Sequence, residues 1–195
     1  MRIYVATHNK HKLSEMAAIL GPGAELEPDD PGVEENAPDF RGNALLKARA
    51  TASRHPGEWV MADDSGLEVD ALGGEPGVRS ARYAGEPESA ARNNEKLLAR
   101  LAGRKDRRAR FRCCIAVISP GGAERFAEGA CEGTIIESPA GAEGFGYDPL
   151  FLPEGGDRTF AELSAGEKNA VSHRARALAA ARAVLGIPAR APEPA

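Results

Sequence analysis

The chain has 195 residues, 42% hydrophobic and 28% charged, with a net charge of −4. That length supports one folding unit with a real core or two lobes sharing a sheet, and the mild acidity excludes a general attraction for nucleic acid or anionic membrane. Cys113, Cys114 and Cys131 form neither a paired disulfide framework nor a zinc-ligand spacing, and they fit a reducing cytosol. The opening MRIYVATHNK turns polar too soon for a signal peptide, and no run reaches the roughly 20 apolar residues that span a bilayer, so a soluble cytoplasmic protein is expected.

The apolar run Ile3, Tyr4, Val5 reads as a short buried strand that breaks at Thr7, His8 and Asn9. In the helix that follows, Leu13, Met16, Ala17 and Leu20 share a face until Gly21 and Pro22 stop it. Residues 7–12 therefore lie at a strand-to-helix junction, where unpaired backbone N–H groups and the helix dipole favour an anion and Lys10 and Lys12 add positive charge. The plainer reading is that Thr7 or Asn9 caps the helix and the lysines are solvated.

Residues 24–28 suit a short strand, and residues 29–39 form an acidic loop that carries Glu34 and Glu35. A second helix is expected over residues 40–53, packing Phe40, Ala44 and Ala48. Asn43 and Lys47, four apart, share a different face, and a lone helical lysine is expected to face solvent. Next, Val60, Met61 and Ala62 lead into Asp63 and Asp64, and the strand is expected to end where the charge begins. Leu67, Val69 and Ala71 then predict a second, half-exposed strand segment. Successive strand residues face opposite ways, so Asp63 and Asp64 cannot both line one pocket in regular strand geometry; one should face a site and the other brace a loop.

The glycine-rich stretch 73–85 predicts a tight, shaped loop, and residues 87–101 a helix with Leu97, Leu98 and Leu101 inward. The basic run 104–112 reads as a solvated connection. Residues 112–119 and 124–136 predict a hairpin around Pro120, Gly121 and Gly122, with Gly129 and Gly133 bending its second strand. The loop 139–151 holds Phe145, Gly146, Tyr147 and Asp148, and it leads into a strand rather than a helix, against a dinucleotide-binding fold. Its glycines let backbone amides approach a flat ligand while Phe145 or Tyr147 offers a ring face; the competing reading makes both rings ordinary core. A last helix has Ser172 as its N-cap and Ala175, Leu178, Ala181 and Leu185 inward, with His173 and Arg174 in its first turn. A cation there opposes the helix dipole and points to an anionic or acceptor ligand nearby. One α/β domain over residues 1–187 and a disordered tail over 188–195 are expected.

In order along the chain, THNKHK, NALLKA, ADDSGLEVDALGG, GFGYDPLF and EKNAVSHRARAL resemble the motifs of the inosine triphosphate pyrophosphatase, or Ham1-like, family over nearly the whole sequence. The resemblance implies a mixed α/β fold in which a long twisted sheet with flanking helices forms two lobes around a central active-site cleft, usually in a homodimer. It implies Mg²⁺-dependent hydrolysis of ITP, dITP and XTP to the monophosphate and pyrophosphate, which clears deaminated purines from the nucleotide pool. On this resemblance Thr7, His8, Asn9, Lys10, His11 and Lys12 cradle the phosphates and Lys47 approaches them. Asp64 resembles the general base and a metal contact, with Asp63 as its alternative and Ser65 beside it touching substrate. Glu35, or Glu34 next to it, resembles the second metal carboxylate. Phe145, Gly146, Tyr147, Asp148, Lys168, His173 and Arg174 resemble the base and sugar side of the pocket. Two positions depart from the pattern: His8 stands where glycine is frequent, and Asp39 where a hydroxyl residue is common.

Hypoxanthine and xanthine present a 6-keto acceptor where adenine presents an amino donor, so donors from Arg174, Lys168 or the amides near Gly146 would favour them. The rival expectations are a Maf-like pyrophosphatase acting on modified pyrimidine nucleotides and a nucleotide-binding protein without turnover.

Overall fold

The computed structural model describes residues 1–188, so the expected tail lies outside the described residues except for Pro188. Strand β1 (Arg2–Val5) buries Ile3 and Val5 and pairs in parallel with β2 (Glu25–Pro28) and with β3 (Trp59–Val69). Parallel neighbours need a crossover, and the chain supplies helices: α1 (Lys10–Leu20) between β1 and β2, and α2 (Phe40–Arg54) between β2 and β3. Then come α3 (Ala90–Arg100), β4 (Arg108–Ile118), β5 (Glu124–Ile135) and β6 (Phe151–Pro153), with β6 antiparallel to β5. The strands form a mixed six-stranded sheet in the order β2-β1-β3-β4-β5-β6, and α4 (Ala165–Val171) and α5 (His173–Leu185) end the described chain. This is the mixed α/β class expected from the sequence.

The described residues pack as two compact units: Met1–Asp64 with Cys114–Gly129 and residues 174–188, and Ser65–Cys113 with Ala130–His173. In the first, Ala44 and Ala48 of α2 meet Ala6, Val60, Ala62, Ala116 and Ile118 of the sheet. In the second, Leu67, Val69, Leu97, Leu101 and Ile135 surround Phe111, Phe151 and Phe160. The Phe111 and Phe151 ring centroids are 4.7 Å apart in an edge-to-face contact. Gly133 of β5 faces this cluster: a Cβ there would lie 2.6 Å from the Phe151 ring, so only glycine allows the two strands to approach.

Several local expectations need correction. β3 runs unbroken through Asp63 and Asp64, because both carboxylates find buried partners and the charge does not end the strand. β4 begins at Arg108, so Arg108, Arg110 and Arg112 are strand residues rather than part of a solvated connection. Arg110 lies 2.9 Å from Asp70 and 3.0 Å from Glu132, and Arg112 lies 3.9 Å from Glu68, which turns the basic run into cross-strand ion pairs. Helix α3 starts at Ala90, later than expected, because Ser89 takes the cap and accepts the Arg92 N–H. Leu98 is only half-buried, and on α1 Leu13 is half-buried and Ala17 exposed, so both stripes are narrower than their spacing suggested. Helix α4 escaped sequence reading although Ser164 and Glu167 form a capping box, the S-x-x-E signature. Ser172, extended, stands between α4 and α5 and donates its N–H to the Lys168 carbonyl at 2.9 Å.

Candidate active site

Asn9 caps α1, its Oδ1 accepting the His11 and Lys12 N–H groups at 3.0 and 3.1 Å, while the Asn9 N–H donates to Thr7 Oγ1 at 3.1 Å. The first turn carries no acid and two lysines, an arrangement the helix dipole disfavours unless anions lie close. Lys10 and His11 are exposed, but Lys12 folds back and sets its ammonium 3.0 Å from Asp63 Oδ2. His8 turns outward to Asp30, and Asp39 caps α2 by accepting the Gly42 N–H at 2.7 Å, a task a hydroxyl residue performs equally well.

The strand alternation of β3 sends the two aspartates to different partners. Asp63, 1% exposed, meets Lys12 and the Arg174 guanidinium, the latter at 3.3 Å, and it braces two helices rather than a loop. Burial disfavours its charge, but Lys12, Arg174 and Lys47 together outweigh that and hold the carboxyl well below the usual carboxylate range. Arg174 also pairs with Glu15 of α1, so the acceptors its position called for are, within the chain, two carboxylates of its own unit. Glu15 escaped notice in the sequence, where nothing distinguishes it from a surface acid.

Asp64 points instead toward α2. Asn43 donates to its Oδ2 at 3.0 Å, and Lys47 Nζ lies 4.0 Å from its Oδ1 and 2.7 Å from a Glu35 oxygen. Lys47 is buried, not solvent-facing as its isolation on the helix suggested; its stem packs and its head answers carboxylates. Burial pulls the Lys47 ammonium down, yet Asp63, Asp64 and Glu35 together raise its pKa. Asp64 goes the other way: burial pushes it up, and Glu35 adds to the push against Lys47, Lys12 and the Asn43 amide. Of the two loop glutamates, Glu35 reaches Lys47, while Glu34 is exposed.

In the second unit, Lys168 Nζ stands 2.7 Å from Asp148 Oδ2 and 4.6 Å from the centre of the Phe145 ring. The same Asp148 oxygen accepts the Phe145 N–H at 2.8 Å. Gly144, at φ +75°, permits this fold of the loop, since a Cβ there would collide with the Asp148 carboxylate. Asn94 donates to the Gly146 carbonyl at 3.1 Å. The two aromatics divide: Tyr147 is buried with its hydroxyl on the Ser80 carbonyl at 2.8 Å, whereas Phe145 is half-buried. His173 is buried, its ring stacked on Phe111 at 4.7 Å, and Ser65 follows Asp64 in β3, half-buried.

A six-stranded mixed sheet bearing a capped basic turn, a pair of carboxylates and a lysine between them is an arrangement that similarity places: the Ham1 family model matches residues 3–184, and the chain belongs to that family. A dITP/XTP pyrophosphatase of Bacillus licheniformis is 48% identical over 191 residues, covering 94% of this chain and 97% of the relative. One from Geobacillus kaustophilus is 52% identical over 185 residues, covering 90% of each. Among solved structures, the Ham1 protein of Staphylococcus aureus superposes with a TM-score of 0.85 at 40% identity, over 95% of this chain and 98% of that one. A nucleoside-triphosphatase / dITP/XTP pyrophosphatase from Mycobacterium abscessus gives 0.75 at 46% identity, over 93% and 98% of the two chains.

Proposed function

We propose that this chain is a nucleoside triphosphate pyrophosphatase that hydrolyses ITP, dITP and XTP to the monophosphate and pyrophosphate. The observation that carries the reading is the meeting of Glu35 and Asp64 at the Lys47 ammonium, with burial raising the pKa of Asp64 above its ordinary value. The relatives named dITP/XTP pyrophosphatase support the substrate class.

The donor set fits Mg²⁺. Glu35 and Asp64 already converge on one cation, their oxygens are hard ligands, and among the described residues no larger group of His, Cys, Asp and Glu forms a closed cage. Mg²⁺ asks for no more than one or two carboxylates beside phosphate oxygens and waters. Glu35 and Asp64 would hold it, and when bound it supplies charge neutralisation at the phosphates and acidifies water.

The chain's own residues do the rest. A water attacks the α-phosphorus in line, its proton passes to Asp64, and the bond to the bridging oxygen breaks so that pyrophosphate leaves. Lys12 and Lys47 take up the charge that develops on the leaving group, and the Asn9-capped turn offers N–H groups and dipole to the phosphates. Asp63, held ionised by Lys12 and Arg174, fixes the reach of Lys12 and is not the base. In the second unit the Phe145 face and the Lys168 ammonium suit a flat base rich in keto acceptors. In the first unit, the guanidinium of Arg174 is pinned by Asp63 and Glu15 and so held in one orientation.

The buried thiols of Cys113, Cys114 and Cys131 accord with a cytoplasmic protein, and among the described residues no helix is long and apolar enough to cross a membrane. We assign it a homodimeric state, which sedimentation would test. The deciding assay is pyrophosphate release across ITP, dITP, XTP, GTP, ATP and dTTP with Mg²⁺. Preference for the deaminated purines is expected; preference for a pyrimidine, or no turnover, would replace this reading with one of its rivals.

A further inference from the structure

Asn43 has two engagements, and both ends are constrained. Its side-chain oxygen accepts the Ala37 N–H at 2.9 Å, and its amide nitrogen donates to Asp64 Oδ2 at 3.0 Å. The side chain is completely buried, so water cannot substitute for either partner. The orientation is unambiguous: turning the amide over would set N–H against N–H at Ala37 and oxygen against carboxylate at Asp64. Asn43 and Lys47 are one helical turn apart on α2, and they address different oxygens of the same carboxylate, Oδ2 and Oδ1. The Ala37 end matters because Ala37 lies two residues after Glu35, in the segment that must bring that carboxylate to Lys47.

We propose that Asn43 is the positioning residue of the site: through one amide it fixes the rotation of the Asp64 carboxylate and ties it to the segment that carries Glu35. This rests on Asp64 being the base assigned above. Asn43 touches no substrate in this role; it decides that Oδ1 is the oxygen presented toward Glu35 and Lys47. Residues that orient a reacting or metal-binding carboxylate typically cost about 10–100-fold when lost.

Asn43→Asp separates the two ends, since it keeps shape and the acceptor for Ala37 but replaces the amide donor to Asp64 with a second carboxyl group that repels Asp64 when ionised. Turnover is read at alkaline pH, so that no proton shared by the two carboxyls stands in for the lost donor. For dITP, kcat should fall about 10–100-fold. The dissociation constant of α,β-methylene ITP, measured by calorimetry, should stay within about threefold, because uniform binding is untouched. Hydrogen exchange across residues 29–39 should match the wild type. Asn43→Ala removes both ends and should lose kcat similarly while accelerating exchange in that segment. Asn43→Ser, too short to span both partners, replaces either variant if its melting curve shows it unfolded, and should behave as Asn43→Ala. A kcat within threefold of wild type in Asn43→Asp overturns the proposal. So does exchange over residues 29–39 that is indifferent to Asn43→Ala. Wild-type protein that releases pyrophosphate from no nucleotide would instead defeat the functional reading, and the exchange comparison would still decide whether Asn43 ties the segment.

Discussion

Arg174 and Asp63 are 111 positions apart in the chain, and the guanidinium of one stands 3.3 Å from the carboxylate of the other, each 1% exposed. The pair explains how an arginine survives in the first turn of α5, where the dipole opposes it: Asp63 and Glu15 supply the negative charge. Removing one partner of a buried pair leaves the other uncompensated. Arg174→Ala is therefore expected to lower stability by about 3–5 kcal/mol, read by denaturant unfolding, whatever it does to substrate choice. A loss under about 1 kcal/mol would mean that Lys12 alone suffices for Asp63.

The two neighbouring aspartates should give opposite pH signatures in metal-free protein. Asp63 is depressed below its unfolded value, near 3.9, so its contribution is complete above that pH and is lost as pH falls through the lower folded value. Asp64 is raised, so the native state holds its proton more tightly and stability drains as pH rises from the unfolded value through the folded one. Melting curves in chelator should show the deficit of Asp63→Asn shrinking at acid pH. The same curves should show Asp64→Asn gaining on wild type as pH rises through its window. Parallel curves for both variants would contradict the assignment.

Lys47 occupies the carboxylates that Mg²⁺ would use. In Lys47→Ala, Glu35 and Asp64 lose their ammonium and repel each other, so added Mg²⁺ without nucleotide should raise the melting temperature more than in wild type. Turnover should fall in the same variant, since charge on the leaving group loses a partner. An equal Mg²⁺ shift in the two proteins would separate Lys47 from the cation-binding pair.

Gly133→Ala tests the core of the second unit. The new methyl would meet the Phe151 ring and the Leu152 carbonyl, one of them backbone that cannot swing away. Overpacking of this kind costs about 1–3 kcal/mol, and thermal unfolding should show it. Gly166→Ala, on α4 with open space around it, is the control and should be neutral or slightly stabilising.

Most of the first unit's framework was legible in the sequence. Period-2 and period-3.6 patterns placed β1, α1 and α2 within a residue or two, because these elements bury apolar residues at regular spacing. The alternation rule also separated Asp63 from Asp64. Reading failed where charged residues find partners inside regular structure: the strand through the aspartates, the arginines of β4 and the lysine of α2 all look like solvent-facing charge until their partners are known. Lys47 makes the case most plainly, since its partners lie 12 and 17 positions away on a loop and a strand.

What the sequence determined by itself was the order of the main elements apart from α4, the mixed α/β class and the identity of the chemical groups, since these depend on local spacing and on residue type. Which carboxylate belongs to which cation was decided only in three dimensions. Asp63 with Lys12 and Arg174, Asp64 with Asn43 and Lys47, and Glu35 rather than Glu34 at the shared ammonium all follow from packing. The reason is that a charge buried in a protein is tolerated only beside a compensating partner, and the packing of distant segments, not their spacing along the chain, settles which partner that is.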